Sequence, residues 1–175
     1  MIKTPVYIVD LFQIIVNSTS TALDRVISYD FGPVGEIEET LVSMLKDPVS
    51  AAGKFPIVML ITDIDENKGL KLGIESKVSL HLLIATQTEK NLTAKERMYQ
   101  NFKPTLYPIY SEFINQIARS KFFQESASEV IQHIKTDRLA WGKYGITSNG
   151  KTVFTDLLDC IEIKNLNLNV KAQIC

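Results

Sequence analysis

Two cysteines, Cys160 and Cys175, occur in 175 residues. That is too few for a disulfide framework, and a reducing compartment is the simpler setting. Histidine is as scarce: His81 and His133 stand alone, and neither has a neighbour at the close spacing that a zinc site requires. Basic charge is not in excess, with 19 Lys and Arg against 20 Asp and Glu, so the electrostatic footprint of a general nucleic-acid binder is missing. No apolar run is long enough to span a bilayer, and the first one is broken by Asp10 and Gln13, which makes a poor signal peptide. Without secretion, the sequons at Asn17 and Asn91 carry no meaning. The eight glycines form no phosphate loop. Gly32 and Gly35 flank Pro33, which removes a donor, and Glu36, Glu38 and Glu39 follow, so this stretch reads as a structural turn. What is present is ordinary: 45% apolar and 22% charged residues, enough for one domain over 1–175 with a sizeable core.

The strongest pattern lies between Thr93 and Ser120. Met98, Phe102, Leu106, Ile109, Phe113 and Ile117 recur every three or four residues, one apolar stripe on a helix. Thr93 and Glu96 fit a capping box. Pro104 and Pro108 fall inside the pattern, and each lacks an N–H, so a kink or two abutting helices is expected. Thr4-Pro5 opens an earlier helix carrying Ile8, Phe12, Ile15 and Val16, with a strand as the rival given the β-branched content, and the polar run Asn17–Thr21 should break it. Val26–Tyr29 reads as a short extended piece. A further helix begins near Val34, with Ile37, Leu41 and Met44 on one face, and ends at Asp47-Pro48. Ser50–Lys54 is a link.

Pro56–Thr62 is a continuous apolar run, a strand buried on both faces. Asp63–Gly73 reads as a polar, mobile loop. Ile74–Thr86 alternates, with Ile74, Val78, Leu80, Leu82 and Ile84 on one side, and is the clearest strand. Lys121–Trp141 shows no winning period, although Phe122, Phe123, Val130, Ile131 and Ile134 must bury. Asn149-Gly150 between Ile146 and Val153 predicts a hairpin. The last strand, Asp159–Lys171, changes phase near Lys164-Asn165, as a β-bulge would make it do. These elements predict an α+β domain: a mostly antiparallel or mixed sheet of four to five strands packed against two or three helices.

Candidate chemistry is thin. Asp63, Asp65 and Asn67 alternate like a calcium loop, but Lys68 stands where the sharp turn needs glycine and Ile74 where a bidentate glutamate belongs, and strands flank it. His81 lies on the polar side of a strand, in a surface or hydrogen-bonding role rather than a catalytic one. Cys160 sits among Leu157, Leu158 and Ile161 and reads as a small buried hydrophobe. No catalytic, cofactor-binding or metal-ligating set emerges. The one local charge asymmetry gathers Lys135, Arg138, Lys143 and Lys151 with Trp141 and Tyr144. It is either a solvated hairpin face or a binding surface; on the second reading Arg138, Trp141, Lys143, Tyr144 and Lys151 are the interface residues.

Several landmarks follow in order: YDFGPVGEI from Tyr29 to Ile37, KFPIVML from Lys54 to Leu60, and Glu96-Arg-Met with FKPTLYPIY from Phe102 to Tyr110. DRLAWG from Asp137 to Gly142 and FTDLLDCIEI from Phe154 to Ile163 complete the set. The pattern resembles small phage and prophage proteins of the tail-terminator (tail-completion) kind, found at the head–tail junction, over most of the chain. The resemblance implies a non-enzymatic α/β domain that needs no cofactor. It also implies a ring of copies, a hexamer in such proteins, that ends the tail tube and meets tail tube and head-completion proteins. The place would be the virion, and the host cytoplasm during assembly, with no membrane and no sequence-specific nucleic acid as partner. The Asp63–Gly73 loop and the Ile146–Val153 hairpin would be the contact arms between copies. The rival reading is a bacterial small-molecule-binding or enzymatic domain whose pocket would be lined by His81, Asp156 and Asp159.

Overall fold

The computed structural model describes residues 7–33, 35–37, 39–40, 53–71, 74–123, 131–141, 146–148, 151–154 and 158–171. The alternation after Ile74 becomes strand β3 (Ile74–Gln87), which lies at the middle of a five-stranded sheet. On one side it pairs antiparallel with β2 (Ile57–Lys71), on the other with β7 (Leu158–Lys171). β1 (Ser28–Gly32) joins β2 in parallel, and β4 (Ile134–Trp141) joins β7 antiparallel, giving the order β1-β2-β3-β7-β4. The chain is helical at 35–37 and 39–40 on its way from β1 to β2, as a parallel neighbour requires a crossover. β5 (Ile146–Ser148) and β6 (Lys151–Phe154) pair as the expected hairpin in a separate small sheet. The α+β expectation with a mixed sheet is therefore met.

One face of the sheet packs on helices. Val58 and Leu60, Val78 to Ile84 at even positions, Ile161, Ile163, Leu166 and Leu168 share a cluster with α1 (Ile8–Ala22) and the Thr93–Ser120 segment. Phe12 of α1 meets the Phe113 and Phe123 rings at 5.9 and 6.1 Å. The other face carries Ile57, Met59, Ile61, Leu83, Ala85, Leu158 and Cys160 with Ile37 against them. β2 is thus buried on both faces between Ile57 and Ile61, as its apolar run required. β7 serves both faces by alternation, and its bulge keeps the helix-facing row buried on either side of it. Leu82 opposes Ile163 but Leu80 opposes Leu166, so two β7 residues, Lys164 and Asn165, face one of β3. Asn165 takes the extra place at φ 52°, a left-handed conformation that asparagine tolerates better than most residues.

Four expectations are corrected. The Asn17–Thr21 run does not break α1, which continues to Ala22. The hydroxyls of Ser18, Thr19 and Thr21 donate to the carbonyls of Ile14, Ile15 and Asn17, so these polar side chains are satisfied within the helix. The helix ends instead at Asp24, φ 47°; the Asp24 and Arg25 N–H groups return to the Thr21 and Ser20 carbonyls, a Schellman closure without glycine. Residues 63–71 of the expected Asp63–Gly73 loop are strand, and the last two residues lie outside the described ones. β2 runs on to Lys71 with bulges between Ile61 and Asp65 and between Lys68 and Lys71, and its ladder bonds need no apolar side chains. Ile134 is 53% exposed rather than buried. The extended piece read at Val26–Tyr29 falls slightly later, at β1. Thr4-Pro5, Val34, Leu41, Met44, Asp47-Pro48, Val130 and the Asn149-Gly150 turn lie outside the described residues.

The two prolines fall in helical segments that abut, as expected: Pro104 lies inside a π-helix and Pro108 in the first turn of the α-helix that follows. After α2 (Ala94–Arg97), capped reciprocally by Thr93 and Glu96, the chain widens into a π-helix over Met98–Leu106 and returns to α3 (Tyr107–Arg119). The Tyr107 N–H reaches the Phe102 carbonyl, five residues back. Widening eases the clash of the Pro104 ring with the preceding turn. In an α-helix the N–H of residue 108 would meet the Pro104 carbonyl. Pro108 has none, and Arg25 Nη1 donates to that oxygen at 3.2 Å.

A buried ion pair fastens this helix to the sheet. Arg97 and Asp159 are 3% and 0% exposed. Arg97 Nη1 donates to Asp159 Oδ1 at 3.3 Å and to Thr88 Oγ1 at 2.8 Å, Nε to the Leu92 carbonyl and Nη2 to the Glu89 carbonyl. Asp159 also accepts from Asn101 Nδ2 at 2.7 Å and from the Ala140 N–H at 2.9 Å. Ala140 has φ 54° at the β4 bulge, which aims that N–H at the carboxylate. Removing one partner strands the other charge in the interior, so Arg97→Ala or Asp159→Ala should each cost about 3–5 kcal/mol by urea denaturation. Arg97→Lys should restore little, since an ammonium cannot span the same set of acceptors.

Candidate functional site

Two charged clusters flank β4, one on each face of the sheet. On the face away from the helices, Glu162 of β7 is 7% exposed. Its Oε2 accepts from Arg138 Nε at 2.7 Å and Nη2 at 2.6 Å, and its Oε1 lies 3.0 Å from His81 Nε2 and 2.9 Å from Lys164 Nζ. Strand alternation assembles this group. Thr136 and Leu83 oppose Glu162 directly, so Arg138 and His81 each stand one diagonal away on the same face, and Lys164 follows two places along β7. Burial works against the carboxylate's charge, but hydrogen bonds from Lys164 and Arg138 outweigh it and hold its pKa below the ordinary 4.5.

On the helix side, Asp137 accepts from the Tyr107 hydroxyl at 2.7 Å and pairs with Lys135. Lys135 Nζ stands 4.7 Å from the Tyr107 ring centre and 5.4 Å from that of Tyr110, a cation held over two aromatic faces. His133 Nδ1 faces the Ile131 carbonyl at 2.8 Å. A carbonyl only accepts, so Nδ1 donates to it, and Nε2 lies 2.6 Å from the Tyr110 hydroxyl. The hydrogen bond to Asp137 pushes the Tyr107 hydroxyl up to about 12. Cys160, a free thiol that is fully buried, is likewise pushed up to about 12, chiefly by burial. Neither group ionises near neutrality, so neither is a ready base or nucleophile.

The residues singled out by their pattern in the chain separate on this geometry. Arg138 lies on β4 and its side chain is 42% exposed, but both its hydrogen bonds go inward to Glu162. Trp141 closes β4 and Lys151 opens β6; Lys143 and Tyr144 lie outside the described residues. Lys135, read as part of a basic cluster, is neutralised by Asp137. The rival pocket does not assemble from His81 and Asp159. His81 belongs to the Leu83 and Ala85 face, Asp159 to the Ile161 and Ile163 face, and the sheet separates them; Asp156 lies outside the described residues. Glu162 escapes a reading of the sequence, though a charged residue inside the run Cys160-Ile161-Glu162-Ile163 signals a partnered group. Arg97 is hidden in the helix start next to its own capping box.

The sheet ends on β1 at one side and β4 at the other, and among the described residues each of these strands is paired along one edge only. Large apolar side chains stand exposed at both ends: Phe31 at 50% and Val26 at 77% by β1, and Ile134 at 53% on β4. Unpaired strand edges with exposed apolar residues invite pairing with another chain. None of the described helices is long and apolar enough to cross a membrane, and no grouping of metal-binding side chains occurs among the described residues. Comparison with protein-family profiles, curated proteins and solved structures gives no match.

Two outcomes follow from these clusters. Glu162 has a lowered pKa in the folded state, so its contribution is present above the ordinary carboxylate range and lost as pH falls through the folded value. Glu162→Gln should cost about 1–2 kcal/mol at neutral pH, discounted for its half-exposed partners, and should flatten the acid limb of the stability profile below pH 4.5. In a Cys175→Ser background, Cys160 should displace less than about a tenth of an equivalent of thionitrobenzoate from Ellman's reagent in the native protein and a full equivalent in denaturant.

Proposed function

We propose that this chain is a non-enzymatic assembly protein of a phage or prophage tail, of the tail-terminator kind. Copies associate side by side into a ring at the end of the tail tube, stop its growth and present a surface to the head-completion protein. The six-fold order is taken from the resemblance, and the place of work is the virion, reached through the host cytoplasm. The landmarks from Tyr29 to Ile163 carry the resemblance. The observation in the fold that favours it is the sheet itself, whose two outer strands, β1 and β4, face away from each other and carry exposed Phe31 and Ile134. Two different surfaces on opposite sides of one subunit suit head-to-tail contacts, which close into rings when the rotation permits. The buried charges Arg97, Asp159 and Glu162 are spent on holding the fold. One arm differs from that expected: its 63–71 part is strand β2, an extension of the sheet edge, while the other is the expected β5–β6 hairpin.

Light scattering on the purified chain should give a single mass several times that of the monomer, and the tail-tube protein encoded with it should bind that species. A monomer at all concentrations that also ignores tube protein overturns the reading.

A further inference from the structure

The charges on the two outer sides of the sheet differ in sign. On the β1 side, Asp30 lies in the strand, and Glu36 and Glu39 are exposed on the helical stretch that follows it. Beyond Ile61, β2 runs past the end of β1 and becomes the outer strand itself, with Asp65 and Glu66 exposed and Lys68 paired to Glu66. That side is acidic. On the β4 side, the outer row continues past β4 through Phe122 and Phe123, which hydrogen-bond and bridge to Lys171 and Val170 at the far end of β7. This row carries Lys121, exposed, with Lys135 and Arg138 on β4. Asp137 offsets Lys135, and Arg138 shares Glu162 with Lys164, so the side as a whole retains positive charge.

We propose that the acidic β1–β2 edge of one copy docks on the basic β4 edge of a second copy, with Phe31 and Ile134 meeting at the contact. The proposal deepens the tail-assembly reading and rests on it. The occupant is a second copy because the two edges are complementary to each other in charge, and each exposes large apolar surface, Phe31 and Val26 on one and Ile134 on the other. Edge-on-edge pairing would satisfy the outward N–H and C=O groups of both outer strands. Like edges would meet with like charge, so β1–β1 and β4–β4 contacts are disfavoured and the association runs head to tail. The attraction between exposed charges is screened, so assembly weakens as salt rises.

The test is a charge-swap pair. Glu36→Lys/Glu39→Lys/Asp65→Lys makes the acidic edge basic, and Lys121→Glu/Gln132→Glu makes the basic edge acidic while keeping Ile134; Asp65→Lys/Glu66→Lys, which neutralises the acidic edge, is a second variant, should the first perturb the helical stretch. Sedimentation equilibrium is run on each variant alone and on the equimolar mixture of opposite variants, with thermal unfolding to establish that each is folded. Each variant alone should raise the dissociation constant of self-association at least about tenfold, and the mixture should regain the mass of the wild-type assembly. Either variant assembling as the wild type does, or a mixture that fails to reassemble, overturns the edge pairing. A wild-type chain that stays monomeric yet caps tail tubes overturns the pairing and leaves the tail reading intact. A chain that assembles through these edges but ignores tube protein does the reverse.

Discussion

A carboxylate with no access to water must be given donors by the protein, and Asp159 sets that demand at the junction of four segments. Its donors come from the start of the long helix, the middle of its first turns and the end of β4, through Arg97, Asn101 and the Ala140 N–H. Arg97 in turn needs the Thr88 hydroxyl and the Glu89 and Leu92 carbonyls, so the connection from β3 into the helix folds around the guanidinium. The helix cannot slide along the sheet without stranding a charge. That fixed seating determines which aromatic rings reach Phe12 and where Tyr107 and Tyr110 stand over β4. Such a pair contributes less to net stability than to uniqueness of arrangement, a role that buried polar groups fill in some proteins.

Three residues after Asp159, the same strand presents Glu162 on the opposite face. Here the partners Arg138, Lys164 and His81 are partly solvated. One strand thus carries a charge sealed among buried partners toward the helices and a buried charge with solvated partners away from them. The difference comes from what covers each face rather than from the residue types. The wet cluster ties β4 to the body of the sheet across β7, which keeps an outer strand in place where only one edge is paired.

Apolar periodicity makes most of the architecture readable. The even positions of β3, the stripe from Met98 to Ile117, the apolar run at Ile57 and the phase change at Asn165 each report a buried face, and each lies where its spacing places it. Polar stretches mislead because their bonding partners leave no local period. Ser18 and Thr19 are helical through bonds four residues back. The 63–71 stretch is a strand through backbone ladders that place no demand on side-chain type. Ile134 stays exposed because β4 is an outer strand, a fact of topology that no window of sequence contains. Of the candidate interface residues, Arg138 stands out in the chain for its charge, whereas its inward bond to Glu162, 24 residues away, appears only in three dimensions. The Arg97–Asp159 pair spans 62 residues and is invisible in the chain for the same reason.

The conformation of Asn165 bears on how such a chain can change length over time. Upstream of it, odd-numbered β7 residues face the helices; downstream, even-numbered ones do. Deleting this one position would rotate either Ile163 and its predecessors or Leu166 and its successors out of the interior. Related genes should therefore gain or lose codons here only in pairs, while the ends of β7 remain free to lengthen one codon at a time.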